Sequence, residues 1–115
     1  MSEESKLREE LKAQAAEAID ALRKECEKLI PIIPGKTADN CMIQIEEDCK
    51  MYMRGEKNAC VFVDIRLYQA SPEDKKLAFS AALAKYLQEN LDIDPNLIYM
   101  NFLELPHWAA AGSFK

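Results

Sequence analysis

The stretch from Cys60 to Glu104 leaves the chain the least freedom. It opens with Cys60-Val61-Phe62-Val63-Asp64-Ile65-Arg66-Leu67-Tyr68, β-branched and aromatic residues with few polar positions. Such a run predicts a strand covered on both faces. Ser71-Pro72-Glu73-Asp74 then supplies a capping hydroxyl, a proline for the first helical position and two acids for the first turn. The helix so begun should reach about Asn90, with Leu77, Ala81, Ala84 and Leu87 on one face and Phe79, Leu83 and Tyr86 beside them. Lys75, Lys85, Gln88 and Glu89 make its wet side. A stop at Asp92–Pro95 leads into Leu97-Ile98-Tyr99-Met100-Asn101-Phe102-Leu103, a second strand. Strand, amphipathic helix and strand with short joints make one βαβ unit over 60–104, its strands parallel and its crossover right-handed.

The remainder is arranged around that unit. Residues 3 to about 30 read as one long helix, with Leu7, Leu11, Ala15, Ala18, Leu22, Cys26 and Leu29 in a single apolar stripe. Ser2 or Ser5 can cap it, and Asp20 is where a break would fall in so long a helix. The stripe is expected to cover the sheet. Pro31 ends the helix, Pro34-Gly35 makes a turn, and Cys41–Glu46 reads as a strand. Glu46-Glu47-Asp48 is a solvated turn, and Cys49–Asn58 a short strand plus a loop in which Gly55 and Asn58 accept positive φ most easily. Pro106 to Phe114 is an aromatic tail in which His107 and Trp108 serve packing. A second complete βαβ unit would need a strand before the first helix, and Met1–Lys6 has nothing apolar to pair with a sheet.

Several function classes drop out. A chain of 115 residues is one domain, 1–115, able to bury a core without staples. A net charge of −5 with no basic stripe argues against nucleic acid as a partner. Cys26, Cys41, Cys49 and Cys60 lack zinc-ligand spacing, and one histidine cannot complete a metal set, so no metal or cofactor is expected. Cys26 and Cys60 read as small core residues. No apolar run approaches the roughly 20 residues that span a bilayer, so no membrane role and a cytoplasmic location are expected.

Ile33-Pro34-Gly35-Lys36, the acidic turn, Tyr52 through Arg54-Gly55-Glu56, Phe62-Val63-Asp64, Pro95 with Leu97-Ile98-Tyr99, and His107-Trp108 with Phe114 stand in a familiar order. Over roughly residues 20 to 115 the chain resembles the tautomerase superfamily, in the branch of macrophage migration inhibitory factor and the phenylpyruvate tautomerase-like proteins. The resemblance implies an α+β (α/β sandwich) fold, two helices packed on a mixed β-sheet, with residues 1–30 a divergent N-terminal helix. It implies a homotrimer, in which short strand edges are paired by a neighbour. The implied reaction is enol–keto tautomerisation of small aromatic α-keto acids such as phenylpyruvate, with an N-terminal proline as base. Carried over by position, Lys36 matches the lysine that binds the substrate carboxylate. Tyr99 and Asn101 match pocket-lining residues, Leu67 falls near the hydrophobic residue beside that pocket, Trp108 and Phe114 match the aromatics that close it, and Arg54 in its R-G turn could reach the pocket too.

The departure lies at the start. Residue 2 is serine, and the first strand of that family is replaced by helix-forming sequence. After removal of Met1, Ser2 would offer a primary amine of pKa about 7.7–8.0, the one candidate for a catalytic group. Two functions therefore compete: tautomerisation or binding of small aromatic keto–enol acids, and a non-catalytic assembly module using the long N-terminal helix for protein contact.

Overall fold

The computed structural model describes residues 2–114. Helix α1 (Glu3–Leu29) runs 27 residues without a break, roughly 40 Å at the usual rise. Ser2 caps it, its side chain accepting from the Ser5 amide at 3.2 Å. The expected weak point at Asp20 is spanned by charge instead. Arg23 donates to Asp20 at 2.8 Å and also to Glu27, while Lys24 pairs with Asp20 at 3.2 Å, so three successive turns are tied.

Only the C-terminal half of α1 meets the body. Leu22, Cys26, Leu29 and Ile30 join the core, whereas every residue from Lys6 to Glu17 is exposed. The stripe therefore does not cover the sheet along its length. Two strands give a helix of this length too little surface, and the molecule is drawn out to 56 × 35 × 22 Å.

The βαβ unit forms as expected. Strand β3 below takes its number from two short strands that precede it: β1 (Tyr52–Met53) and β2 (Glu56–Lys57), an antiparallel hairpin. β3 (Val61–Tyr68), α2 (Glu73–Leu91) and β4 (Ile98–Leu105) follow, with β3 and β4 parallel and in register from Val61↔Ile98 to Tyr68↔Leu105. Val63, Ile65 and Leu67 with Met100 and Phe102 face the helices, against Phe79, Leu83 and Leu87 of α2 and Leu29 and Ile33 after α1. Phe79 meets Phe102 edge-to-face at 6.2 Å. Burial of a side chain such as Leu83 contributes about 1.5–3 kcal/mol.

Four expectations are corrected in detail. β3 is covered on one face within the chain, and Phe62, Asp64 and Arg66 share an open face with Tyr99, Asn101 and Leu103. On α2 the buried face is Phe79, Leu83 and Leu87, while Leu77 and Ala81 face solvent, because only the 79/83/87 row points at the strands. Pro72 takes the N-cap position, one residue later than expected. Cys41–Glu46 is extended but joins no ladder among the described residues. The sheet is accordingly three separate two-stranded ladders, the last being β5 (Ala109–Ala110) with β6 (Ser113–Phe114).

The turns follow from the residues. Arg54 (φ 58°) and Gly55 (φ 75°) form a two-residue hairpin loop with both central residues left-handed, which matches strand twist. Asn58 is not left-handed. Its side chain donates to the Met53 carbonyl at 2.8 Å and holds the hairpin to the strand that follows. Among the described residues no helix is long and apolar enough to cross a membrane.

Candidate functional site

The carboxyl ends of β3 and β4 lie side by side because the strands are parallel, and the start of α2 and the end of α1 meet there. Open parallel sheets commonly hold ligands at this edge. The chain arrives through Ile33-Pro34-Gly35-Lys36. Ile33 is 1% exposed and anchors the turn, Gly35 takes φ +79°, and the Lys36 amide closes it on the Ile33 carbonyl at 3.1 Å. Proline followed by a left-handed glycine is the type II pattern. Lys36 is thereby aimed back at the sheet.

Its ammonium donates to the Tyr68 carbonyl at 3.0 Å and lies 6.0 Å from the centre of the Tyr68 ring. Among the described residues no carboxylate pairs with it. A half-buried ammonium with three donors and one carbonyl acceptor retains capacity for an anion. Leu67 is buried directly before Tyr68. The next residues, Gln69 and Ala70, line an open cleft of about 340 Å³ with Glu104, Leu105 and Pro106. Gln69 is itself left-handed (φ 66°), and its amide donates to the Leu105 carbonyl at 2.8 Å, carrying the pairing one step past β3.

One wall of the cleft is ionic. Glu104 accepts from Lys76 at 2.8 Å and from the Ser71 amide. The Lys76 ammonium first, and then the Ser71 amide, hold its carboxyl below the ordinary glutamate range. Neither partner stands out in the sequence. The signal was the βαβ unit itself, since a parallel strand ends beside the helix that precedes it. An acid next to the end of the strand and a lysine in the first turn of the helix then meet.

Beyond Pro106 the tail folds as the β5–β6 hairpin, whose turn residues Ala111 and Gly112 are both left-handed. Phe114 stacks on His107 with ring centres 5.5 Å apart, and Trp108 is half-buried. The tail thus begins at the cleft.

The remaining expected residues lie elsewhere in the chain. Tyr99 pairs in register with Phe62 near the start of β3, on the open face and 63% exposed. Six residues of strand, roughly 20 Å, separate it from Leu105. Asn101 shares that face and donates to Asp64 at 3.2 Å, and Asp64 also accepts from Arg66. One chain does not bring these two residues to Lys36. Arg54 sits at the tip of the β1–β2 hairpin, exposed. Ser2 stands at the far end of α1, with the whole helix between it and Lys36. Met1 lies outside the described residues.

The family model of macrophage migration inhibitory factor (MIF) matches residues 7–113. The chain belongs to the macrophage migration inhibitory factor family. Among solved structures, macrophage migration inhibitory factor of Toxoplasma gondii is similar at a TM-score of 0.67 and 24% identity, over 84% of this chain and 86% of that one. No curated protein matches by sequence. The MIF-like, α+β tautomerase-type fold is therefore shown.

Proposed function

We propose that this MIF-family chain binds small aromatic α-keto acids through their carboxylate at Lys36 and promotes their enol–keto tautomerisation. The observation that carries the reading is the half-buried Lys36 ammonium, held by one backbone carbonyl and by no carboxylate among the described residues, at the edge of the sheet where both strands end. The enol loses its O–H proton to water to give an anionic enolate, which water then reprotonates at carbon, and an ammonium beside the cleft stabilises that enolate. Within one chain α1 holds Ser2 at the opposite end of the molecule from Lys36, and this reading gives its amine no role.

Tyr99 and Asn101 join this site only across copies. The open face that bears them also exposes Phe62 (58%) and Leu103 (45%), apolar surface that a neighbouring subunit would cover. In a ring of three, each open face would lie against the next subunit, and Tyr99 and Asn101 would then approach the neighbour's Lys36. On this reading Leu67, buried beneath Tyr68, would back the site, and the Trp108–Phe114 tail, which begins at the cleft, would close over it.

The test is the ultraviolet decay of phenylpyruvate enol. The protein is expected to outpace buffer, with the excess lost in Lys36→Ala. A rate equal to buffer and indifferent to Lys36→Ala would dispose of the reading.

A second reading is favoured by one observation. Leu7 (55%) and Leu11 (56%) are exposed on the projecting half of α1, as a surface for protein contact would be. A Leu7→Glu/Leu11→Glu double variant that changes the mass in light scattering would support it, and an unchanged mass would count against it.

A further inference from the structure

The segment 41–47, which leaves Cys41 in an extended conformation, has no ladder partner among the described residues and lies against α1 instead. An open groove of about 450 Å³ shows how the two are registered, being lined by Ala16, Ile19, Asp20 and Arg23 from the helix and by Ile43, Ile45 and Glu47 from the segment. The helix positions repeat every three or four residues and the segment positions every second residue. Continued one step in the same direction, the helix row reaches Cys26 and the segment row reaches Cys41. Both are half-buried free thiols. They feel the same Glu27 carboxylate, and Cys26 feels Cys41 directly.

We propose that Cys26 and Cys41 are a redox pair, converted by glutathione disulfide into an intrachain disulfide that closes the loop carrying Lys36. One protein thiolate attacks a sulfur of glutathione disulfide, giving a protein–glutathione mixed disulfide and releasing one glutathione thiolate. The second protein thiol, losing its proton, attacks the protein sulfur of that mixed disulfide and expels the second glutathione. The protein gives up two protons and two electrons, and one glutathione disulfide becomes two glutathiones. Burial and the nearby acids keep both thiols largely protonated, so the exchange is slow. Bridging requires the two Cβ atoms to come within about 3.5–4.5 Å, and a segment free of ladder bonds can make that adjustment without breaking a sheet.

The consequence is positional. The loop between the two cysteines contains the Ile33–Lys36 turn, so the bond staples both ends of the segment that presents Lys36 to the cleft. Cys49 is exposed and lies past the acidic turn, and Cys60 opens the approach to β3, its amide bonded to the Asn58 carbonyl at 2.9 Å. The left-handed Asp48 (φ 59°) ends the helix-facing row before Cys49, and Cys60 lies outside the segment. Formation of the bond does not depend on what Lys36 binds.

The intact protein is incubated with glutathione disulfide, free thiols are blocked with N-ethylmaleimide, and tryptic peptides are analysed without reduction. The expected product joins the Cys26 peptide to the peptide holding Cys41 and Cys49, with fragmentation between Glu46 and Cys49 placing the bond on Cys41. The same product is expected from Cys49→Ser, while Cys41→Ser leaves Cys26 unbridged. The oxidised wild-type protein should unfold several degrees higher, reversed by dithiothreitol. Recovery of Cys26 and Cys41 as separately alkylated or separately glutathionylated residues overturns the proposal, as does loss of the bridge in Cys49→Ser.

Discussion

Gly35→Ala isolates the turn that aims Lys36. Gly35 has φ +79°, and a Cβ built there meets no atom within 4 Å. The cost is therefore conformational alone, with no steric term to add, and a non-glycine residue in the left-handed region costs about 1–2 kcal/mol. For a chain of this size that amounts to a fall in Tm of roughly 3–8 °C. Gly55→Ala is the internal reference. It shares a left-handed φ (75°) and open surroundings, but its hairpin carries no core residue comparable to Ile33, and fraying there relieves the strain. Gly35 has no such escape, because Ile33 is buried on one side and Lys36 is tied to Tyr68 on the other. Thermal unfolding by circular dichroism of the three proteins decides the matter. An unchanged or raised Tm in Gly35→Ala would refute the left-handed assignment and with it the placement of Lys36.

Other expected outcomes follow from burial and charge. Leu83→Ala, at a position 2% exposed between α2 and the strands, should cost about 2–5 kcal/mol in urea denaturation. Glu104→Gln tests linkage. The Glu104 carboxyl is held below its ordinary range by Lys76 and the Ser71 amide, so its contribution is present above about pH 4.3 and is lost as pH falls through the lower folded-state value. The wild type should therefore lose more stability than Glu104→Gln on acidification below that pH, and parallel pH profiles would contradict the pairing. Ser2→Ala removes the α1 cap and should lower helix stability by about 1 kcal/mol, while phenylpyruvate turnover stays unchanged; a drop in turnover at constant folded fraction would return the N-terminus to the site.

What could be read from the residues, and what could not, divides along physical lines. The βαβ unit was legible because its signals are local: a β-branched run, a proline-led helix start and a left-handed stop at Asp92 (φ 54°). The turn before Lys36 was legible because Pro34-Gly35 dictates it, whereas Lys36 as a candidate came from its place in the family pattern. Which face of β3 stays open was not, since Phe62 and Val63 are alike in apolarity and only the arrival of the helices on one side separates them. The free-standing half of α1 was equally hidden. A 3.6-residue stripe says that a helix has an apolar face, but not that a two-stranded ladder is too narrow to cover it. The segment 41–47 alternates as a strand should, with Ile43 and Ile45 turned toward α1, but alternation does not reveal whether a hydrogen-bonding neighbour exists. For the site, Tyr99 and Asn101 sharing a strand face was readable from their spacing. Their separation from Lys36 by the length of β4 became evident only with the register. The Glu104–Lys76 pair is non-local and needed the helix start placed beside the strand end.

Calorimetric titration of phenylpyruvate into the wild type and Lys36→Met bears most directly on the claim that the Lys36 ammonium receives a carboxylate. Methionine keeps an apolar stem and removes the charge, and a charge-assisted hydrogen bond contributes about 1.5–3 kcal/mol, so Kd should rise roughly ten- to a hundred-and-fifty-fold. Equal affinities in the two proteins, with Lys36→Met still folded, would contradict it.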